Sequence, residues 1–176
     1  MEFYSRKSPR LPGYDYTTEN YYFVTICTHN KECIFGRGNE LSPYGEIVQQ
    51  HLQELPMHYK QVQVDVFKVM PNHIHCILVL DAGADTGLDV VVGLFKSGVS
   101  KQIHKIDPEC KVWQRSFHDH IIRNDREYEE IWQYIQYNDQ KWETDCFYPG
   151  SCDFRVQGGS RPSPTEENCR QNEELL

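Results

Sequence analysis

Apolar and polar positions follow two different periods along this chain, and the changes of period mark its elements. "NYYFVTICTH", residues 20–29, is aromatic and β-branched and ends at an Asn-Lys turn, which predicts a strand with "ECIFG" as its hairpin partner. "SPYGEIVQQHLQELPMHY" opens with Ser42 as a cap and Pro43 in the first turn, then places Ile47, Val48, His51, Leu52 and Leu55 at helical spacing. "VQVDVFKVM", residues 62–70, alternates with Val62, Val64 and Val66 on one face. Pro71 and Asn72 then turn the chain into "HIHCILVL", giving two antiparallel strands. A second helix is predicted over "LDVVVGLFKSGVSKQIHK", with Val91, Leu94, Phe95, Val99 and Ile103 as its apolar stripe despite Gly93 and Gly98. "WQRSFHDHIIRN", residues 113–124, reads as a strand. "DREYEEIWQYIQYNDQKWETD", residues 125–145, reads as a third helix capped by Asp125, with Glu127, Glu129 and Glu130 opposing the positive end of its dipole.

The order strand, helix, strand, strand, helix, strand, helix is that of an α+β, ferredoxin-like (RRM-like) unit: a four-stranded antiparallel sheet covered by helices, with one helix added at the C-terminal end. The 176 residues, 39% of them hydrophobic, suffice for a single core. A mean hydropathy of -0.67, with no apolar run near the ~20 residues of a membrane span, predicts a chain that does not enter the bilayer. "MEFYSRKSPRLPGYDY" lacks the apolar region of a secretory signal, so a cytoplasmic location is expected. Seven cysteines at irregular spacing, with no CxxC pair, read as free thiols, Cys76 among them as a small packing group. The stretch from Gly158 is rich in Gly, Pro, Ser and acidic residues, so residues 1–148 are assigned to the domain and 149–176 to a flexible acidic tail.

The picture changes at "VMPNHIHCILVL", where two imidazoles interrupt an apolar strand. Side chains two apart on a strand share a face, so His73 and His75 point the same way and can hold one cation, whereas Ile74 and Cys76 face the other side. On the last helix, Tyr134 and Asn138 stand four residues apart on one face and pair a phenol with an amide oxygen. "FHDH" offers a rival pair, His118 and His120, with Asp119 between them. His29, His51, His58 and His104 have no such partner in the sequence. The net charge of -8 is spread along the chain, with 15 basic and 21 acidic residues up to Gly150. Any contact with nucleic acid must therefore be a local patch, with metal supplying part of the positive charge.

Six segments in order, "RKSPRLPGYDY", "YYFVTICTHNKECIFG", "MPNHIHCILVL", "LFKSGVSKQIHK", "VWQRSFHDHIIRNDREY" and "IWQYIQYNDQKW", make the chain resemble the single-tyrosine transposases with a His-hydrophobe-His motif, and most closely the REP-associated tyrosine transposases. The resemblance implies that His73, His75 and Asn138 bind a divalent metal, Mg²⁺ or Mn²⁺, and that Tyr134 attacks DNA. It further implies single-stranded or hairpin DNA as partner, a covalent 5′-phosphotyrosine and a free 3′-hydroxyl. Family members often carry proline where this chain has Asp139, which implies a longer last helix here. Arg6, Lys7 and Arg10, with Tyr14 and Tyr16, form a candidate DNA-binding arm, and Arg115 and Arg123, on the strand before the last helix, are further candidates for DNA contact. A monomer and a homodimer both fit. So do three other readings: a non-catalytic RRM-like binding module, a replication or relaxase-type nickase, and an insertion-sequence transposase whose site is completed by dimerisation.

Overall fold

The structure, a computed structural model, describes residues 13–83, 86–145 and 147–148. Strands β1 (Asn20–Cys27), β4 (Val62–Met70), β5 (His73–Leu80) and β6 (His118–Ile122) form one antiparallel sheet in the order β4-β5-β1-β6. Helices α1 (Pro43–His58) and α2 (Leu88–Ile103) cover one face, and α3 (Asp125–Tyr137) covers the other. This is the ferredoxin-like arrangement with an added C-terminal helix. Strand alternation sorts the side chains between two cores. Tyr22, Val24, Ile26, Ile74, Cys76 and Leu78 pack under α1 and α2, whereas Phe23, Ile77 and Ile122 pack against Ile131 and Ile135 of α3.

Several sequence expectations are corrected. Strand β1 pairs with β5 and β6, and "ECIFG" instead leads into a small hairpin, β2 (Gly36–Arg37) with β3 (Glu40–Leu41). Buried Phe35 explains the difference: its ring stacks on Trp113, and its N–H donates to the carbonyl of Pro71, so this segment is tied to the β4-β5 turn. The alternation of β4 is broken by a register shift between Val64 and Val66, which leaves Val62 and Val64 in the α1/α2 core and moves Val66 into the α3 core. On α2, Leu94 is exposed and Val92 is buried in its place. Residues 113–117 lie outside β6, and Trp113 makes an isolated bridge to Thr28.

At the last helix, Asn124 is the cap in place of Asp125: its side chain accepts from the N–H of Glu127, whose carboxylate accepts in turn from the N–H of Arg123. The α-helix ends at Tyr137, and residues Asn138–Thr144 continue as a tighter 3₁₀ turn, so Asp139 prolongs the chain's coiling but not the α-helix. Cys27, Cys76 and Cys110 are outside any disulfide, but Cys33 is disulfide-bonded, which the sequence spacing did not show. Cys76 is buried in the core, and burial pushes its thiol up to about 12. Tyr14 and Tyr16, expected to join the basic arm, are partly buried and pack with Tyr22 against the main core.

Helix α1 enters the fold over a close approach: a Cβ on Gly45 would overlap the carbonyl oxygen of Phe35. Gly45→Ala is therefore expected to lower stability by about 1–3 kcal/mol through overpacking. Urea unfolding followed by tryptophan fluorescence measures this, and an unchanged midpoint would show that the α1 entry has room to shift.

Candidate active site

The face of the sheet under α3 carries the polar residues that the two cores leave out. Register places His73 across from Cys27 and Met70, and His75 across from Thr25 and Lys68. Both imidazoles are fully buried, as are Thr25 and Asn72. The two-residue turn supplies Asn72, whose amide nitrogen donates to the carbonyls of Phe147 at 2.8 Å and Lys31 at 3.2 Å. Carbonyls only accept, so the amide orientation is determined, and its oxygen faces His73 Nδ1 at 2.8 Å. His73 therefore carries its proton on Nδ1, leaving a lone pair on Nε2.

That lone pair meets His75 Nε2 at 3.0 Å, and His75 Nδ1 lies 2.8 Å from the hydroxyl of Thr25. With His73 Nε2 as acceptor, His75 donates from Nε2 and accepts from Thr25. A hydroxyl can turn from donor to acceptor, so Thr25 can also hold the tautomer of His75 that leaves both Nε2 atoms bare. The geometry is that of a two-imidazole ligand pair with each ring oriented by a neighbour.

Helix α3 brings in the remaining groups. Ile131 and Ile135 anchor it to the sheet, which turns Tyr134 toward the histidines: its hydroxyl is 3.2 Å from His75 Nε2 and 3.2 Å from Asp145 Oδ2. One turn later, buried Asn138 donates from its amide nitrogen to the same Asp145 oxygen at 3.0 Å. Its oxygen is buried with no hydrogen-bond partner among the described residues. The other Asp145 oxygen accepts from the N–H of Phe147 at 2.7 Å. Ligand atoms of His73, His75 and Asp145 all lie within 4.8 Å of one another, which makes a His, His, Asp group able to hold a metal ion.

All four residues singled out in the sequence for the chemistry, His73, His75, Tyr134 and Asn138, thus meet in one place. Asp145 was missed: it caps the C-terminal end of the 3₁₀ extension, in a stretch that the sequence reads as plain helix, and its only signal is an acidic residue eleven positions after the tyrosine. The "FHDH" pair does not join the site. His120 is held by Glu127 at 2.7 Å, His118 is exposed, and Asp119 pairs with Val24 and so faces the opposite side of the sheet. Arg115 and Arg123 are both exposed, at opposite ends of β6. Arg6, Lys7 and Arg10 lie outside the described residues.

The site is covered. Phe147 lies 4.6 Å from the His73 ring and Trp142 lies 5.8 Å from it, while the ammonium of Lys31 sits over Phe147. At the open edge, Lys68 forms an ion pair with Asp139 at 2.8 Å, tying the residue after Asn138 to β4. Desolvation holds the pKa of His73 down to about 3, with Lys31 adding to the effect, and desolvation also holds His75 well below the ordinary value. Both rings are neutral at pH 7, the form that binds metal.

A stability signature follows. The unfolded chain takes up protons on these histidines near pH ~6.5, whereas the folded chain resists until far lower pH. The unfolded state therefore binds more protons in this window, and stability falls as pH drops from about 6.5 toward 3. Each histidine adds a slope of up to ~1.4 kcal/mol per pH unit. His73→Gln should flatten the slope by about one proton when urea stability is measured at successive pH values below neutrality, and an unaltered slope would mean that burial does not depress this ring.

Comparison with known proteins supplies the family. Residues 16–138 match the family described as IS200-like transposase. A Haemophilus influenzae protein of no stated function is 35% identical over 167 residues, covering 81% of this chain and 93% of its own length. A second protein from the same organism, provisionally named a REP-associated tyrosine transposase, is 25% identical over 140 residues, covering 72% of this chain and 74% of its own length. The solved structure of a REP-associated tyrosine transposase bound to a REP hairpin shares the fold, with a TM-score of 0.55 and 18% identity over 93% of this chain and 100% of that one. The family match spans well over half of the sequence, and the chain belongs to the IS200-like transposases as a DNA-cleaving enzyme.

Proposed function

We propose that this transposase cleaves single-stranded DNA beside a hairpin of the REP type by attack of Tyr134. The observation that carries this reading is the placement of the Tyr134 hydroxyl between His75 Nε2 and Asp145 Oδ2, at 3.2 Å from each. A free phenol has a pKa near ~10 and needs help to react at neutral pH. Asp145 is within reach to take the proton as the phenolic oxygen bonds to phosphorus. The bond from phosphorus to the 3′ oxygen breaks, that oxygen gains a proton, and the 5′ phosphate stays on Tyr134 for transfer to another 3′-hydroxyl.

The residues fit a divalent ion. The buried oxygen of Asn138, unpartnered among the described residues, and the converging Nε2 atoms of His73 and His75 form a mixed oxygen and nitrogen donor set, with Asp145 adjacent. Such a set suits Mg²⁺ or Mn²⁺, which would supply positive charge to the scissile phosphate and the leaving oxygen. Hairpin DNA as substrate is supported by the REP hairpin bound in the structure that shares the fold, and association with REP elements by the name of one relative. Tyrosine, histidines, asparagine and carboxylate all come from one chain in mutual contact, which supports catalysis by a monomer. For the phosphate to reach Tyr134, Phe147 and Trp142 must give way, since they cover the imidazoles.

Tyr134→Phe is expected to abolish covalent adducts with single-stranded DNA and to leave hairpin binding near wild type; a mass-spectrometric map of the adduct to Tyr128 or Tyr137 would overturn the assignment. EDTA and His75→Ala should each stop cleavage, with Mn²⁺ or Mg²⁺ restoring the native enzyme only. Asp145→Asn should slow cleavage about 10²–10⁴-fold at neutral pH and less at alkaline pH, where the phenol loses its proton unaided. Single-turnover assays across pH measure this, and an equal loss at every pH would assign Asp145 to ligation alone.

A further inference from the structure

Away from the histidines, on the same face of the sheet, the aromatic pair Tyr21 and Tyr128 is unused by the chemistry above. Tyr21 is 43% exposed, an unusual position for a large ring on the second residue of a central strand. Its ring meets that of Tyr128 edge to face at 5.6 Å. The Tyr128 hydroxyl donates to Asp65 at 2.7 Å, and Asp65 sits at the register shift of β4, so the irregularity in that strand holds the ring in place. Together with Ile122, Arg123, Asn124 and Asp125, the two rings line an open cavity of about 420 Å³.

We infer that this cavity is a stacking site for one unpaired base of the DNA strand, with the base on the face of Tyr21 and its phosphate toward Arg123. The inference rests on the DNA-cleaving function proposed above. Aromatic rings bind any base through its π-face, and an arginine beside them neutralises the backbone. The exposed guanidinium of Arg123 makes no hydrogen bond to the other described residues; its charge acts on the Glu127 carboxylate, which a phosphate would have to share. Asp125 at the rim repels a phosphate from its side of the cavity, which leaves the flat base as the group that enters there. Tyr21 precedes Thr25, the partner of His75, by four residues on β1, so the cavity lies roughly 13 Å along the strand from the histidines. A base held there would fix which phosphate along the strand reaches Tyr134.

The test is fluorescence anisotropy with the full-length protein on a hairpin bearing a short unpaired flank and on the same hairpin blunt-ended, together with 2-aminopurine placed in turn at each flank position. Wild type should prefer the flanked hairpin and quench 2-aminopurine at one position. Tyr21→Ala should lose that quenching and about tenfold in affinity for the flanked hairpin only, whereas Tyr21→Phe should keep both. Asp65→Ala, which frees Tyr128 without touching DNA, should weaken the quenching. If Tyr21→Ala bound and quenched like wild type, the stacking site would be refuted with the proposed function untouched. If wild type bound neither hairpin, the proposed function and the stacking site would fall together.

Discussion

The pairing of β1 with β5 is the constraint on which the site depends. From Tyr22 to Cys27 and from His73 to Leu78 the two strands are buried on both faces, so their register decides which core each side chain enters. A slip by one residue would send His73 and His75 under α1 and α2 and bring Ile74 and Cys76 beneath the tyrosine. The correct register sets Thr25 against His75 and Phe23 beside Tyr134, so the partner strand orients one ring and packs the other. Two buried imidazoles are tolerable only because every nitrogen has a neighbour, and the neighbours come from turn, strand and helix together.

Much of this arrangement was legible in the sequence because it rests on local periodicity. The spacing of His73 and His75 puts them on one face whatever the rest of the chain does, and Tyr134 and Asn138 share a helix face for the same reason. What could not be read was set by contacts distant in sequence. Strict alternation in "VQVDVFKVM" gave no sign of the shift at Asp65, which exists because Val66 and Ile77 share the core under α3 while Val64 does not. Phe35 looked like part of a hairpin and is instead a core residue held by Trp113. Asp145 escaped notice because a carboxylate in an acidic stretch looks like any other until the 3₁₀ turn folds it back onto the tyrosine.

The acidic character of the chain is also easier to understand with the fold in hand. Lys68 is committed to Asp139 and Lys31 lies over Phe147, so these two cations beside the site are already engaged. Positive charge for a phosphate would come from a bound ion and from side chains that exchange partners when DNA arrives. An enzyme built this way needs no broadly basic surface.

Asn72 has a consequence of a different kind. One amide holds His73 in its tautomer with the oxygen and grips the backbone of Phe147 with the nitrogen. Whatever stabilises that orientation stabilises the imidazole and the covering segment at once, and whatever pulls on one is felt by the other. The two events are thermodynamically linked, and linkage is reciprocal. An ion that favours the Nδ1-protonated ring must, by the same free energy, alter how firmly Phe147 rests on it, so that the turn residue converts occupancy of the site into a bias on its own cover.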